Sequence, residues 1–532
     1  MNAVWFFGAG VAAGPVPGPD KVGSKAWHLM RLAEAGLPVP TGFVLGTAWC
    51  RAYREAGRLP EGFREQLAEQ VRVLESVTGR ALGGRRRPLL VSVRSGAPAS
   101  MPGMLDTILD VGIGDALAAP MRRDTGNPRL YWDCYRRFVQ SFGETVWQVP
   151  AGRFEGLLRA RLAEEGAADE RELDAAALAS LTRASLAAVE EACGTPLPQD
   201  PLDQLSASVE AVFRSWDSPR ATAYRRLAGL DDASGTAAIV QMMVFGNAGA
   251  GSGSGVGFTR NPATGEPGLY VDFLEDAQGE DVVSGRRSSF GAAALARRLP
   301  AVHRELETVA AVLERLFRDA QDFEFTVERG ALWLLQSRPA KRTPLAALRI
   351  AADHVREGLL TRAEGRARVA GLDLGAIVEE RAVAPPGVAP LARGTPAGPG
   401  VASGPVALDA EGALASPEPA ILVRPDTCTS DLAGMHAAAG VLTAIGSRTS
   451  HAAVVARQLG RPCIVGCTSL RLDLARRRLR LGDTELAEGD VLTLDGTTGE
   501  VWPGRLAVER WRPAALLDEV RSWAGDEACQ PA

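Results

Sequence analysis

The sequence predicts a mixed α/β protein built from more than one domain. Its 532 residues suffice for about two to four domains, and 46% hydrophobic and 23% charged residues are ordinary values for a globular protein. Short apolar runs typical of strands alternate with helical spacings, and a long Ala/Leu/Glu/Arg-rich stretch separates two groups of predicted strands. A Pro/Gly-rich segment at 384–394 then divides a large part of the chain from a small one.

The composition disfavours several broad classes of protein. A net charge of −5 and a pI near 5.8 leave no basic surface for a nucleic acid. The sequence has no run of about 18 apolar residues that could span a membrane. The apolar start MNAVWFF lacks the basic residues of a secretion signal. Seven cysteines without metal-binding spacing lead us to expect reduced thiols and a cytoplasmic location.

The first residues predict a strand, a helix and a second strand. VWFF suits the first strand and residues 39–45 suit the second. Between them, an apolar helical spacing from Leu29 to Ala33 is ended by Gly36. Lys25 stands at the opening of this helix, where a solvated lysine is the ordinary interpretation.

The run LLVSV predicts a buried strand that delivers Arg94 and Ser95 to a loop of small residues. A planar guanidinium at a strand end, facing such a loop, is suited to holding two oxygens of a phosphate group. A surface arginine explains the same pattern equally well.

Residues 111–215 predict a set of helices, because they are rich in Ala, Leu, Glu and Arg. Aromatic residues on one face of the first helix are expected in the core: Tyr135, Phe138 and Phe142. For Arg136 and Arg137, salt bridges are favoured over contact with a ligand.

A loop dense in Gly and Ser lies between the predicted strands Ala238–Phe245 and Val256–Thr259. We expect the two strands to belong to one sheet and the loop to cover a phosphate group, since backbone N–H groups approach oxygens closely only without side chains. A flexible linker has a similar composition.

The segment QDFEF predicts a strand with Asp322 and Glu324 on one face and two phenylalanines on the other. If residues 328–330 form the hairpin turn, Gln336 lies directly opposite Asp322. Two carboxylates and an amide oxygen suit Mg²⁺. An ordinary half-exposed hairpin shows the same alternation, and the pattern does not separate the two interpretations.

The segment Pro344–Arg381 predicts a helical connector, and the following Pro/Gly-rich residues 384–394 predict a hinge. Fully extended, this hinge reaches at most about 36–40 Å. From residue 395 to about residue 510 we expect a compact α/β domain, followed by a tail at 511–532.

The last domain contains a predicted strand–helix–strand unit, GVLTAI and PCIV around a helix from Ser450 to Gly460. Thr449 or Ser450 can cap this helix, and His451 lies in its first turn. A phosphoryl group carried on that imidazole would be held by free N–H groups and the helix dipole. A histidine at a helix start is more often an ordinary polar residue, and position alone does not establish a carrier.

Two motifs resemble known enzymes. GSRTSHAAVVARQLGRPCIVG is similar to the phosphohistidine segment of the phosphoenolpyruvate-utilising enzymes, which include pyruvate phosphate dikinase, phosphoenolpyruvate synthase and the first enzyme of the sugar phosphotransferase system. VRSGAPASMPGM resembles the dikinase pattern Val-Arg-Ser-Gly followed by Ser-Met-Pro-Gly-Met. Ser447 departs from the family pattern, which usually has a second Gly there.

The resemblance implies an ATP-grasp nucleotide-binding domain at 1–340 with a helical insertion at 111–215, a connector and hinge at 341–394, and a swivelling phosphohistidine domain at 395–510. It implies that His451 is phosphorylated and that Arg94 and Arg338 contact the transferring phosphoryl group. It further implies nucleotide contacts by Lys25, Arg94, Gln241, Met242, Val244, Gln278 and Glu280, and Mg²⁺ ligands Asp322, Glu324 and Gln336.

These resemblances predict a dikinase-like phosphotransferase in which ATP, inorganic phosphate and Mg²⁺ phosphorylate His451, giving AMP and pyrophosphate. We expect a truncated member that lacks the family's barrel domain, so that a separate barrel protein passes the group to pyruvate and the chain is a monomer. Two alternatives stay open: transfer to another small-molecule acceptor, as in rifampicin-type phosphotransferases, and a phosphocarrier or regulatory protein.

Overall fold

The computed structural model describes residues 4–12, 14–99, 101, 105–284, 289–448 and 450–523. The chain forms two compact units. The first comprises Met1–Ala250 and Trp333–Ser337, and the second comprises Gly251–Leu332 and Arg338–Ala532. Among the described helices, none is both long enough and apolar enough to cross a membrane.

The first unit combines strands with a long helical segment. Its strands are β1 (Val4–Phe7), β2 (Gly42–Leu45), β3 (Ala81–Leu82), β4 (Pro88–Leu89), β5 (Val91–Gly96), β6 (Thr107–Val111) and β7 (Ala237–Met242). Its helices are α1 (Pro19–Glu34), α2 (Thr47–Ala56), α3 (Phe63–Thr78), α4 (Ala118–Thr125), α5 (Pro128–Val146), α6 (Ala151–Glu165), α7 (Ala175–Cys193), α8 (Pro201–Ser215) and α9 (Pro219–Ala228).

An antiparallel sheet of five strands, in the order β1–β2–β7–β5–β6, organises the first unit. The predicted strand VWFF is confirmed as β1. Arg94 and Ser95, expected in a loop, lie within β5, where Arg94 pairs with Ile239 of β7. Pairing on both sides therefore extends β5 by several residues beyond its apolar run.

Helices α4 to α9 confirm the helical character predicted for the middle of the chain. The aromatic face predicted for α5 is fully buried: Tyr135, Phe138 and Phe142. Arg136 and Arg137 both form ion pairs with Asp133 and Glu170, so the preference for salt bridges is confirmed.

The second unit begins with the strands and helices that follow the glycine loop. These are β8 (Gly253–Arg260), β9 (Pro267–Glu275), α10 (Gly279–Ser284), α11 (Ala292–Arg298), α12 (Pro300–Phe317), β10 (Gln321–Glu328), α13 (Pro344–Arg356), α14 (Arg362–Val369) and β12 (Glu379–Val383). Strand β11 (Ala331–Pro339) follows β10, and its residues Trp333–Ser337 are those counted in the first unit.

The remainder of the second unit is rich in short strands. Its elements are β13 (Ala392–Arg393), β14 (Thr395–Gly398), β15 (Val401–Ala407), α15 (Ala410–Ala415), β16 (Ile421–Arg424), α16 (Leu432–Ala437), β17 (Gly440–Thr443), α17 (His451–Gln458), β18 (Cys463–Val465), β19 (Leu470–Asp473), β20 (Arg478–Leu481), β21 (Thr484–Ala487), β22 (Val491–Asp495), β23 (Glu500–Pro503), β24 (Ala507–Trp511) and α18 (Ala514–Ser522).

Strands β10, β8 and β9 of this unit belong to a four-stranded sheet in the order β11–β10–β8–β9. The predicted alternation in β10 is confirmed, since Phe323 and Phe325 are buried on one face. The rings lie over Gly257 and Gly255 of β8, where an added Cβ would lie 2.3 and 2.4 Å from them. Glycine in these strand positions therefore makes room for the two rings.

Two expectations about this region are wrong. The strands that flank the glycine loop, β7 and β8, belong to different sheets, because β8 is already paired on both sides by β9 and β10. The hairpin turn between β10 and β11 contains two residues rather than three. Arg329 and Gly330 both have positive φ, at 50° and 85°, as a tight hairpin turn requires.

The last part of the chain contains an eight-stranded mixed sheet, in the order β13–β23–β22–β15–β16–β17–β18–β14. Its centre, β15 to β18, is parallel. The predicted strand–helix–strand unit is confirmed as β17, α17 and β18. The helix packs against the sheet through small residues: Ala452, Ala453 and Ala456.

The connector is helical only in part. Helices α13 and α14 confirm its first half, but the end of the predicted helical segment, residues 379–381, lies in strand β12, which pairs with β24. The backbone of Ala382 also donates a hydrogen bond to Asp495 at 3.0 Å. The C-terminal helix α18 returns to pack against α13. Non-local pairing thus overrides the helical spacing of this stretch.

Candidate functional site

His451 is the first residue of α17 and is half-buried. Ser450 is the N-cap residue with extended backbone, as predicted, but its side chain accepts no capping hydrogen bond within the described structure. Thr449, the other predicted cap, lies outside the described residues. The imidazole is therefore presented at the end of the helix where backbone N–H groups lack helical partners.

The ring of His451 is oriented by Thr427, whose hydroxyl lies 3.1 Å from Nδ1. Thr427 is buried, and its backbone N–H donates to the carboxylate of Asp426 at 2.7 Å, which fixes the turn after β16. A contact at Nδ1 leaves Nε2 as the ring nitrogen that can attack a phosphorus atom. Thr427 was not predicted from the sequence. It lies 24 positions before His451, and no local pattern indicates that the two side chains are in contact.

The loop before α17 lies against strand β9. The backbone N–H of Arg448 donates to Asp272 Oδ2 at 3.0 Å, and the Arg448 guanidinium lies 4.1 Å from the ring centre of Tyr270. Ser289 donates to the other oxygen of Asp272 at 3.0 Å. Burial raises the pKa of Asp272 above its ordinary value, although Arg448 and Ser289 act in the opposite direction.

Arg457, which lies in the same helix as His451, holds this loop in place. Its guanidinium donates to the carbonyl oxygens of Arg448 and Ala397 at 2.8 and 2.9 Å. Burial lowers the pKa of Arg457 below its ordinary value. The Ala-Arg pair of the motif thus fixes the backbone that presents His451.

Tyr270 and Asp272 were also missed from the sequence. Their period-two spacing in the stretch LYVDF places both side chains on one face of β9, and that spacing is the signal that could have found them. The partner Arg448 could not have been found in the same way, because it is 176 positions from Asp272.

In the first unit, Arg94 contacts another predicted site residue. Its guanidinium donates to the Leu335 carbonyl at 2.9 Å and to the Gln336 side-chain oxygen at 3.2 Å. The predicted phosphate-binding arginine and the predicted metal-binding amide therefore lie side by side. The motif Ser-Met-Pro-Gly-Met that follows Arg94 lies largely outside the described residues, since residues 100 and 102–104 are not described.

Lys25 lies close in the fold to the end of the strand that contains Arg94. Helix α1 is kinked at Gly23, where φ is 77° and an added Cβ would lie 1.9 Å from the Gly96 carbonyl oxygen. The backbone N–H of Ser24 donates to Ala97 at 2.8 Å. Only glycine fits this approach, and Lys25 is half-buried in the turn that follows it.

In the second unit, Asp322 and Arg338 form an ion pair. Arg338 Nε lies 2.8 Å from both carboxylate oxygens of the buried Asp322. Burial raises the pKa of Asp322 to about 6, because desolvation outweighs the opposing effect of Arg338. Glu324, two positions along the same strand, is half-buried. The donor set of two carboxylates fits a hard cation, whose binding would require the Arg338 side chain to turn away from Asp322.

The remaining residues predicted to contact the nucleotide differ in their burial and hydrogen bonds. Gln241 is buried and donates to the Pro40 carbonyl at 3.0 Å, so its side chain holds β7 to the segment before β2. Met242 is half-buried and Val244 is buried. Gln278 is buried, with its backbone N–H donating to Asp281 at 3.0 Å, whereas Glu280 is exposed in the first turn of α10.

Two family models match this chain. Residues 59–291 match the AMP/ATP-binding domain of pyruvate phosphate dikinase, and residues 416–499 match the mobile domain of the PEP-utilising enzymes. The chain is 42% identical to pyruvate, phosphate dikinase of Rhizobium meliloti (strain 1021), over 98% of this chain and 60% of that protein. The chain is thus similar to pyruvate, phosphate dikinases along 94 to 98% of its length.

Other dikinases give similar values. Pyruvate, phosphate dikinase of Clostridium symbiosum is 41% identical over 94% of this chain and 58% of its own length. Pyruvate, phosphate dikinase 2 of Zea mays is 42% identical over 98% of this chain and 60% of its own length. The chain thus spans about 60% of the length of these curated dikinases.

These similarities confirm the resemblance to the dikinases, and the curated relatives are enzymes of that name. The prediction of a truncated member that lacks a domain is wrong, because the matches extend over 94 to 98% of this chain and include the mobile domain. The separate barrel protein expected with that truncation is withdrawn as well. The expectation of a monomer rested on the missing barrel and loses its basis.

Proposed function

We propose that this protein performs the nucleotide half of the dikinase reaction on His451. Nε2 attacks the β-phosphorus of ATP, the bond to the α-phosphate breaks and AMP leaves. Inorganic phosphate then takes the terminal phosphoryl group as pyrophosphate, and phosphohistidine remains. The contact between Thr427 and Nδ1 supports this proposal most directly, because it leaves the opposite ring nitrogen as the nucleophile.

The nucleotide contacts are part of the same proposal. Lys25 and Arg94 act on the phosphate groups, and the close approach of α1 at Ser24 to the end of β5 supports their common role. Once the Arg338 side chain has turned away from Asp322, it neutralises negative charge on the transferring phosphoryl group. We retain as proposals the adenine-side and remaining contacts: Gln241, Met242, Val244, Gln278 and Glu280.

Mg²⁺ is the cation that we propose for Asp322, Glu324 and Gln336. Oxygen ligands of this kind bind Mg²⁺ together with phosphate oxygens and water, and the cation would screen the charge of the nucleotide. The position of buried Asp322 and half-buried Glu324 two residues apart on one strand supports this cation site.

We further propose that residues 1–340 act as an ATP-grasp domain with a helical insertion at 111–215. Residues 341–394 connect it to a swivelling phosphohistidine domain at 395–510, and residues 511–532 form a tail. Pyruvate is the proposed final acceptor, because the relatives are named pyruvate, phosphate dikinase.

Position-specific labelling of ATP tests the reaction. The purified protein should retain label from the β-phosphate in acid-labile form, release AMP, and form pyrophosphate only when inorganic phosphate is added. Retention of γ-label with release of ADP would contradict the proposed bond cleavage. The variant His451→Asn should retain no label from either position.

A further inference from the structure

The loop between β7 and β8 is buried along most of its length. Gly246, Asn247 and Ala248 are buried, Gly249 is half-buried, and Ser252 is 1% exposed. Only Ala250 and Gly251 are exposed. Glycine and small residues allow a loop to move, but burial of both of its ends restricts where movement can occur.

The first end is held by the side chain of Asn247. Its amide donates to Asp133 Oδ2 at 2.7 Å, and both residues are 3% exposed. Arg136, Arg137 and the Asn247 amide lower the pKa of Asp133 to about 2 despite the opposing effect of burial, so the acceptor is a carboxylate. A hydrogen bond to a buried charge is stronger than one between neutral groups.

The second end is held by hydrogen bonds on both sides of Ser252. Its hydroxyl accepts from the Arg329 backbone at 3.0 Å, and its carbonyl accepts from Asp276 at 3.0 Å. The carbonyl of the preceding Gly251 accepts from Gly330 at 2.8 Å. The tight turn between β10 and β11 therefore holds the loop where β8 begins.

We infer that Asn247 and Ser252 are positioning residues that reduce the nucleotide-covering loop to a short strap, Ala248–Ala250. From Asn247 to Gly251 such a strap reaches at most about 14 Å. Gly249 has a φ of 94°, a backbone conformation that residues with a side chain rarely adopt. Such a conformation can orient successive N–H groups towards one anion. The strap would bind phosphate oxygens of ATP through these N–H groups, and this part of the inference rests on the proposed function.

Hydrogen exchange measured by mass spectrometry tests the two anchors without any ligand. In the wild-type protein, amides 244–247 should exchange at least about tenfold more slowly than amides 248–250, as expected for a locally held segment. Asn247→Ala should remove that difference. Ser252→Ala should accelerate exchange at the Arg329 amide, which loses its acceptor, and serves as the second variant if Asn247→Ala does not fold. Unchanged exchange in either folded variant would overturn its anchor.

Binding of ATP with Mg²⁺, followed by calorimetry, tests the role of the strap. Asn247→Ala should raise the Kd about tenfold, which corresponds to about 1.4 kcal/mol of lost positioning, and ATP should slow exchange at 248–250 in the wild-type protein. Asn261→Ala, which removes side-chain hydrogen bonds from a different turn, should leave the Kd unchanged. An Asn247→Ala protein that binds ATP like the wild type would overturn the strap. If the wild-type protein does not bind ATP, both the proposed function and the binding of ATP by the strap are overturned. The two anchors are tested separately, by hydrogen exchange in the absence of ATP.

Discussion

Arg448 and Asp272 are joined by a hydrogen bond from the Arg448 backbone N–H to Oδ2 at 3.0 Å, and the arginine side chain lies over Tyr270. This contact places the loop that precedes His451 against strand β9 of the four-stranded sheet. It links the segment before His451 to the sheet that also contains Asp322 and Glu324.

Loss of this contact should slow the phosphorylation of His451. We expect Asp272→Ala to lower the rate of acid-labile labelling by ATP about tenfold or more, because a buried hydrogen bond and a charge partner are both removed. Asp272→Asn should have a smaller effect, since its amide oxygen still accepts from the backbone. Arg471→Met removes an exposed arginine elsewhere in the second unit and is the control. Wild-type labelling by Asp272→Ala would contradict the role of this link.

Thr427→Val should slow labelling by about 10-fold to 100-fold while preserving the shape of the side chain. Without the hydroxyl, Nδ1 loses the partner that holds the ring and its tautomer. Thr427→Ser retains a hydroxyl and should label at close to the wild-type rate. Equal rates for the Val and Ser variants would exclude an orienting role for this residue.

Chelation of divalent cations should abolish labelling, and added Mg²⁺ should restore it. Glu324→Gln should raise the Mg²⁺ concentration that gives half-maximal labelling about tenfold, because one anionic ligand becomes neutral. Glu328→Gln changes a half-buried carboxylate at the end of the same strand and is the matched control. An equal response of the two variants to Mg²⁺ would argue against Glu324 as a ligand.

Gly257→Ala should destabilise the protein by about 1–3 kcal/mol, as overpacking of a filled core does. The new methyl group would lie 2.3 Å from the fully buried ring of Phe323, and neither strand can shift without breaking its ladder. Chemical denaturation measures the change. Gly152→Ala, in helix α6 where nothing lies within 4 Å, should instead be neutral or slightly stabilising.

Acid should destabilise the second unit through Glu314. This carboxylate accepts hydrogen bonds from His354 and from Arg260, and these outweigh burial and lower its pKa to about 2 from its ordinary value of 4.5. Since the folded pKa lies below the unfolded one, the stabilisation is present above about pH 4.5 and is lost as the pH falls towards 2. We expect a loss of about 2 kcal/mol in the free energy of unfolding.

The variant Glu314→Gln should be less stable than the wild type at pH 7, and its stability should change less between pH 5 and pH 3. Denaturant titrations at these pH values provide the comparison. The cluster of Glu314, His354 and Glu357 has the composition of a metal site, but the Arg260 guanidinium already bonds to both glutamates. A steeper acid dependence in the variant than in the wild type would contradict this assignment.

Local sequence patterns predicted the local elements of this fold. The alternation in QDFEF identified the buried face of β10, and the helical spacing of Tyr135, Phe138 and Phe142 identified the buried face of α5. These predictions succeeded because a strand or helix with one buried side has apolar residues that repeat every two or about 3.6 positions.

Contacts between distant segments could not be predicted in this way. The pairing of β12 with β24, the bond between Thr427 and His451, and the ion pair of Asp322 with Arg338 depend on tertiary placement. We expected the glycine loop to connect two strands of one sheet. The composition of a loop does not show to which sheets its flanking strands belong. Similarity to known enzymes supplied the roles that spacing alone left open.

Mass-spectrometric mapping of the phosphorylated residue, with peptides kept under alkaline conditions, tests the central claim most directly. After incubation with ATP and Mg²⁺, the phosphoryl group should be found on His451, and Thr427→Val should carry less of it at early times. A protein that binds ATP but is phosphorylated at another residue, or at none, would contradict the account.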